Sequence, residues 1–169
     1  GGLSWYSTRS YYEYINRGVQ ARAGNRHSAP LLLESLDSAG LMRLSAASDW
    51  DRAAQELTES ARRLEAAGAT AIIIGANSTH KVFDRVAGSV SVPMIHIAEC
   101  VGARMAERGV RKALLLGTRN VMIDTFYRQK LIARDIELLA PDMSVVDTLD
   151  RIIYDELVVG KASRQAERD

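Results

Sequence analysis

The stretch Ile72-Ile73-Ile74-Gly75-Ala76-Asn77-Ser78-Thr79-His80 decides the fold class. A run of β-branched residues stops at a glycine, and small polar groups follow just ahead of a helical pattern. This is how a strand end delivers amides and hydroxyls to the rim of an α/β sheet, where such folds bind ligands. Asn77, Ser78 and His80 are suited to gripping a small anion. Ala76 stands where an acid/base side chain is expected and offers no group that moves a proton.

A second strand–loop–helix unit follows the same plan, with a strand over Lys112 to Gly117 and a helix over Asn120 to Leu131. The segments IIIGANS and LLLGTRN share an aliphatic triplet, a glycine and polar loop residues. The match predicts two similar lobes facing one cleft: residues 1–110 as a first α/β lobe and residues 111–169 as the start of a second. Between these landmarks the pattern alternates. Tyr11, Tyr12, Ile15 and Val19 fall at helical spacing within Thr8 to Gln20, and Leu31 to Leu33 reads as a short buried strand. Ser48 is placed to cap a helix whose inner face carries Trp50, Ala53, Ala54, Leu57, Ala61 and Leu64, with Gly68 as its stop. Val92 to Ile97 reads as a strand, Ala98 to Arg108 as a helix, and Ser144 to Val159 as a last amphipathic helix with Val145, Val146, Leu149, Ile152, Ile153 and Leu157 inward. Gly88 and Gly102 interrupt otherwise regular patterns. Strands alternating with helices of this length imply parallel sheets with crossover helices.

Composition narrows the function classes. The chain has 169 residues, 47% hydrophobic and 25% charged, with a net charge of +1. No block of like charge argues for a nucleic-acid partner or an anionic membrane, and no apolar segment is long enough to span a bilayer. The single Cys100 has no internal disulfide partner, which fits a cytoplasmic location. Gly1-Gly2 reads as part of a strand-to-helix turn, and the charged pattern from Gly160 to Asp169 carries no cap. Together these features predict that a first strand and a C-terminal part lie outside this sequence.

The polar residues admit several chemistries. No GxGxxG or GxxxxGK[ST] occurs, so a phosphate or carboxylate would have to sit on bare amides at a helix start. His80 and Asp84 are four apart and could share a metal, although no further ligand spacing supports zinc and a local hydrogen bond is the plainer role. Ser78 with His80 or His96 invites a hydrolase triad, but the GxSxG elbow is missing. His96 inside an apolar strand reads as a satisfied strand-end histidine. His27 beside Ser28 serves either a ligand or only the turn. Cys100, early in a helix, is the candidate thiolate nucleophile, set against a plain structural cysteine.

Longer motifs bring these residues under one heading. Gly1-Gly2-Leu3-Ser4-Trp5-Tyr6-Ser7-Thr8, Tyr11-Tyr12, Asn16, His27-Ser28-Ala29, Asp49-Trp50, Asn77-Ser78-Thr79-His80 and Pro93-Met94-Ile95-His96-Ile97-Ala98-Glu99 follow one another in order. Leu115-Leu116-Gly117-Thr118, Phe126-Tyr127 and Ile153-Tyr154-Asp155-Glu156-Leu157 complete the series. The series resembles the aspartate/glutamate racemase family over nearly the whole chain. That resemblance implies two α/β lobes with the active site between them, no pyridoxal phosphate, no metal and, since dimers are usual in the family, a homodimer. Two acid/base residues, usually cysteines and sometimes a threonine in the first position, would flank the substrate α-carbon. The weak carbon acid demands fixed donors that hold its carbanion. By the same resemblance Asn77, Ser78 and the Gly117–Thr118 loop, with the amides of Leu3 and Ser4, bind the carboxylate of a small amino acid such as aspartate or glutamate. His80 supports that shell.

The sequence departs from the family pattern at the chemistry itself. Ala76 fills the first acid/base position, so no catalytic residue is intact in this chain. The second acid/base cysteine is expected in a Gly-Cys-Thr-Glu turn beyond the helix after Gly160. Tyr6 stands where the family usually has Glu, and Val121 where it has Thr. The sequence therefore predicts a cofactor-free racemase-family protein impaired at one base. The alternatives are a one-base decarboxylase or isomerase of the same superfamily and a non-catalytic carboxylate-binding protein.

Overall fold

The computed structural model describes residues 4–163, which fall into two compact units, one ending at Met94 and the other beginning at Ile95. In the first unit, α1 (Trp5–Ala23), α2 (Ser38–Ala46) and α3 (Trp50–Ala66) precede β1 (Ile72–Ile73). A 3-10 turn over Ser78–Val82 then runs into α4 (Phe83–Ala87), and β2 (Met94–Ile95) pairs with β1. The expected amphipathic helix is α3. Its Ala53, Ala54, Leu57 and Ala61 are buried, and Leu57 and Ala61 share a core with Leu41, Ile72, Val82 and Val86. Each large aliphatic side chain buried there contributes about 1.5–3 kcal/mol. The Glu65 carboxylate fastens the far end of α3 to the strand edge, accepting from the Ser91 amide at 2.7 Å, the Ser91 hydroxyl at 2.6 Å and the Val92 amide at 3.2 Å. These bonds hold its pKa below the ordinary carboxylate value.

Three details of this unit differ from the sequence reading. Asp49, not Ser48, caps α3, with its carboxylate accepting from the Arg52 amide at 3.1 Å; Ser48 instead takes a left-handed turn at φ 56°. Leu31 to Leu33 form no strand, because among the described residues they pair with no neighbour, and Leu33 is 57% exposed. Helix α2, capped by Asp37 on the Ala39 amide at 3.2 Å, was not legible because its nine residues bury only Leu41 and leave no periodic stripe to read.

The second unit opens with α5 (Ile97–Glu107), followed by β3 (Lys112–Ala113), α6 (Arg119–Ile123), α7 (Thr125–Ile132), β4 (Glu137–Leu138) and α8 (Met143–Asp155), and a 3-10 turn at Leu157–Val159. Strands β3 and β4 pair in parallel, Lys112 opposite Glu137 and Ala113 opposite Leu138, with α6 and α7 forming the crossover that parallel pairing requires. Ala98, Val121, Tyr127, Leu131 and Ile136 make the core. Gly102 is buried inside α5, where a β-carbon would come within 2.8 Å of Arg134 Cδ and 3.4 Å of Leu131 Cδ2.

The helix expected over Asn120 to Leu131 is broken at Asp124, whose ψ of 159° is extended; α6 ends and α7 begins on that residue. Helix α8 buries Val146 and Ile152 as its spacing demands, but Val145 and Leu157 face outward. Val145 is one step off the inner stripe, and Leu157 lies past the helix end, where the 3.6-residue period no longer sets direction. Among the described residues no helix is long and apolar enough to cross a membrane.

Candidate functional site

The deciding stretch folds into a tightly braced turn. After β1 the chain passes through Gly75 and Ala76 into the 3-10 turn that begins at Ser78. The Ala76 carbonyl accepts two side-chain hydrogen bonds, from the Thr79 hydroxyl at 3.0 Å and from His80 Nδ1 at 2.7 Å. A carbonyl only accepts, so His80 carries its proton on Nδ1. The imidazole is 2% exposed and lies parallel to the Phe83 ring, with centroids 5.5 Å apart. Burial pushes its pKa below the ordinary histidine value, against the opposing pull of hydrogen bonds to the backbone of Ala76 and Asn77. His80 is therefore a neutral brace on the backbone of position 76. Asp84 is exposed on the helix beyond, while His80 spends its Nδ1 proton on that carbonyl rather than on a carboxylate.

Around this brace, Ala76 is 8% exposed, Ser78 is buried and Asn77 is exposed. The Asn77 carbonyl accepts from the His80 amide at 3.1 Å, which completes the turn. The other expected donor of this unit, Ser4, is half-buried at the start of α1. Its carbonyl is taken by the Thr8 amide at 3.2 Å, the Ser7 hydroxyl at 2.9 Å and the Thr8 hydroxyl at 3.1 Å, and its own hydroxyl makes no capping bond. Thr8 and Gly75 line one groove, so the first turn of α1 and the strand-end turn border the same space. Leu3 lies outside the described residues. Thr79 was quoted in the sequence but given no role; its position three residues after Ala76 is the signal, since a Thr hydroxyl at that spacing reaches back to a turn carbonyl.

The second unit carries its own strand-end turn, built differently. Gly117 precedes Thr118, the N-cap of α6, and a β-carbon at Gly117 would meet Val121 Cγ1 at 3.1 Å and Val121 Cβ at 3.3 Å. The Thr118 carbonyl accepts from the Met122 amide at 3.0 Å, but its hydroxyl oxygen is buried with no hydrogen-bond partner. Asp150 of α8 occupies the start of α6, accepting from the Arg119 amide at 2.6 Å, and Asp147 pairs with the Arg119 guanidinium. No sequence reasoning could have found Asp150, because it lies 31 residues from its partner.

The remaining candidates resolve into structural roles or open surface. His96 is the N-cap of α5, its Nδ1 accepting from the Ala98 amide at 3.1 Å; it is buried, as a satisfied histidine at the end of a strand should be. Cys100 is exposed in the first turn of that helix. His27 is exposed, and its amide donates to the Gly24 carbonyl at 3.0 Å within a turn.

The family model for Asp/Glu/hydantoin racemases matches residues 1–169. Among solved structures, a protein from Yersinia pestis classed with the Asp/Glu racemases is 39% identical, with a TM-score of 0.88 over 99% of this chain and 74% of its own. An aspartate racemase homologue from Pyrococcus horikoshii OT3 is 33% identical, with a TM-score of 0.79 over 95% of this chain and 70% of its own.

Proposed function

We propose that this chain, which belongs to the Asp/Glu/hydantoin racemase family, binds the carboxylate of a small amino or aryl acid and is blocked from two-base racemisation by Ala76. The observation that carries the proposal is the braced turn itself. Thr79 and His80 hold the carbonyl of position 76, and the residue so held is a buried alanine. Proton transfer at carbon needs a group of matched pKa within hydrogen-bond reach of the α-hydrogen, and a methyl group supplies none. The donors fit carboxylate recognition. Asn77 and Ser78 enter a helical turn, and the buried Thr118 hydroxyl at the other strand end awaits an acceptor.

A second reading within the same family is one-face chemistry, in which a planar carbanion or enolate left by proton loss or decarboxylation is reprotonated from one side only, by the second acid/base cysteine expected beyond Gly160. Val121, 3% exposed and packed against Gly117, favours it, because it puts apolar surface where the resemblance implies a threonine, as Ala76 does in its own turn where the resemblance implies an acid/base group. Desolvation of that kind suits a carboxylate about to leave as carbon dioxide.

Both readings are tested by deuterium incorporation from heavy water into each enantiomer of aspartate, glutamate and a panel of aryl carboxylic acids, with binding followed by the amide shifts of Asn77 and Thr118. The expected result is carboxylate binding with no interconversion of enantiomers and labelling of one enantiomer at most. In a full-length protein that carries the second acid/base cysteine expected beyond Gly160, Ala76→Cys should raise interconversion, because a thiolate just ahead of a helical turn is favoured by the amides there. Equal labelling of both enantiomers by the unmodified protein overturns the proposal. Loss of one member of an acid/base pair costs about 10²–10⁴-fold, so the contrast is large.

A further inference from the structure

Helix α6 takes its cap from a distant helix. Thr118 holds the backbone of an N-cap residue, extended at φ −65° and ψ 158°. An N-cap threonine ordinarily turns its hydroxyl onto the second or third amide of the helix. Thr118 makes no such bond, and among the described residues its buried hydroxyl oxygen has no hydrogen-bond partner. The acceptor at the start of α6 comes instead from α8. The Asp150 carboxylate takes the Arg119 amide at 2.6 Å, and Asp147, three residues earlier, pairs with the Arg119 guanidinium. Residues three apart share a helix face, so one face of α8 grips residue 119 by its backbone and its side chain together. The buried Val146 and Ile152 anchor that helix. A buried hydroxyl left unpaired carries a desolvation penalty, which one rotation about χ1 would relieve by capping α6. Asp150 makes that rotation unrewarding. Its charged carboxylate is a stronger acceptor than a hydroxyl, and it already complements the positive end of the short helix.

We propose that Asp150 is a positioning residue: it takes over the capping of α6 and so leaves the Thr118 hydroxyl uncommitted for the carboxylate of the ligand. The ligand half of this rests on the proposed function, whereas the exchange of caps does not. Asp150 touches no ligand in this scheme and acts only through Thr118. Two opposed effects make the role readable. As a negative charge beside the turn, Asp150 repels a carboxylate, so loss of the charge alone strengthens binding slightly. As the cap that releases Thr118, it favours binding, so loss of the acceptor weakens it. The second effect dominates, because a hydrogen bond to a charged group outweighs a solvent-screened repulsion.

The test begins without ligand, by urea unfolding of Thr118→Val in two backgrounds. In the otherwise unmodified protein the substitution should leave stability unchanged or raise it. In Asp150→Ala, where the hydroxyl has become the cap, it should lower the folding equilibrium constant about fivefold. Equal effects in the two backgrounds overturn the proposal. So does a loss of stability from Thr118→Val alone, which would show the hydroxyl already bonded and needs no Asp150 variant. Calorimetry with aspartate and with phenylacetate then reads the ligand half. Asp150→Ala should weaken binding about tenfold even though a negative charge has gone, and Thr118→Val should add nothing in that background. Asp150→Asn, whose amide oxygen still accepts from Arg119, should restore the unmodified Kd to within about twofold. Binding that tightens in Asp150→Ala would make Asp150 a repulsive charge only and overturn the positioning role. A reversal of sign in the unfolding data, with neither acid bound by the unmodified protein, would uphold the exchange of caps and fail the proposed function instead.

Discussion

The two strand-end turns look alike in sequence and are stabilised by different means. In IIIGANS the restraint is local: Thr79 and His80 reach back three and four residues to one carbonyl. In LLLGTRN it is remote: Asp150 arrives from α8 to hold the Arg119 amide, and Val121 closes over Gly117. The first turn has Thr79 and His80 bonded inward around a buried alanine. The second leaves a buried hydroxyl, Thr118, without a partner. A local brace fixes the backbone before any ligand arrives. An unpaired hydroxyl carries a desolvation penalty that a ligand acceptor can relieve. Under the proposed function, the first turn is the pre-organised one and the second the one that responds to ligand.

The largest effect should follow from removing the local brace. His80→Ala deletes a fully buried ring, its stack on Phe83 and one of the two side-chain donors to the Ala76 carbonyl, and should cost about 2–4 kcal/mol in urea unfolding. A loss below 1 kcal/mol would mean that Thr79 alone holds the turn. The pH dependence sharpens the point. Burial lowers the folded-state pKa of His80 below the ordinary 6.5, so the unfolded chain binds the proton more readily. This contribution is fully present above pH 6.5 and is lost as pH falls from there through the lowered folded value, with a limiting slope of about 1.4 kcal/mol per pH unit. His80→Ala should flatten the unfolding profile in that window; an unchanged slope would show that another group titrates there.

The second turn should be most sensitive at its tightest contact. Gly117→Ala places a methyl group against Val121 and should destabilise by about 1–3 kcal/mol. Val121→Ala in the same chain should recover part of the loss, because the Cγ1 contact at 3.1 Å disappears while the Cβ contact at 3.3 Å remains. Strict additivity of the two substitutions would show that the close approach is not what requires glycine. A smaller effect is expected at the remote cap. Asp150→Ala should cost about 0.5–2 kcal/mol and Asp150→Asn less, since the amide oxygen still accepts from Arg119. Equal losses would indicate that the negative charge matters rather than the hydrogen bond.

The same contrast explains what the sequence could and could not disclose. Helix α3 was legible because Ala53, Leu57 and Ala61 repeat at helical spacing on a polar background. The bonds of Thr79 and His80 to the Ala76 carbonyl were not read from the strand-end turn, which was itself legible because Gly75 and the polar residues after it stand together in one local window. Asp150 was invisible for the opposite reason, as were α2 with its single buried Leu41 and β4 with only Glu137 and Leu138 in pairing register. Leu31–Leu33 misled by looking like a strand: three apolar residues state a preference for burial, but a strand also needs an edge to pair with. Val145 misled because adjacency to Val146 was taken for membership of the same face. Periodic burial on one element was readable, whereas single local choices, such as Asp49 over Ser48 as the cap of α3 and the break at Asp124, and contacts with distant partners were not.

The smallest effect, and the one with reversed sign, belongs to Thr118. A buried hydroxyl without a partner is paid for in desolvation, so Thr118→Val should leave the ligand-free protein unchanged or more stable, by up to about 1 kcal/mol. If that hydroxyl serves a carboxylate, the same substitution should abolish the rise in melting temperature that saturating aspartate, glutamate or an aryl carboxylate gives the unmodified protein. The two readouts must move in opposite directions for the hydroxyl to be a ligand group. Stability that falls on substitution would show that Thr118 has a structural partner in solution. A ligand-induced shift that survives the substitution would place carboxylate recognition on the braced first turn, on Asn77 and Ser78, without help from the second. In the first case the distinction between a pre-organised turn and a sensing turn collapses. In the second it becomes sharper, because all the binding would then belong to the turn whose backbone His80 already holds.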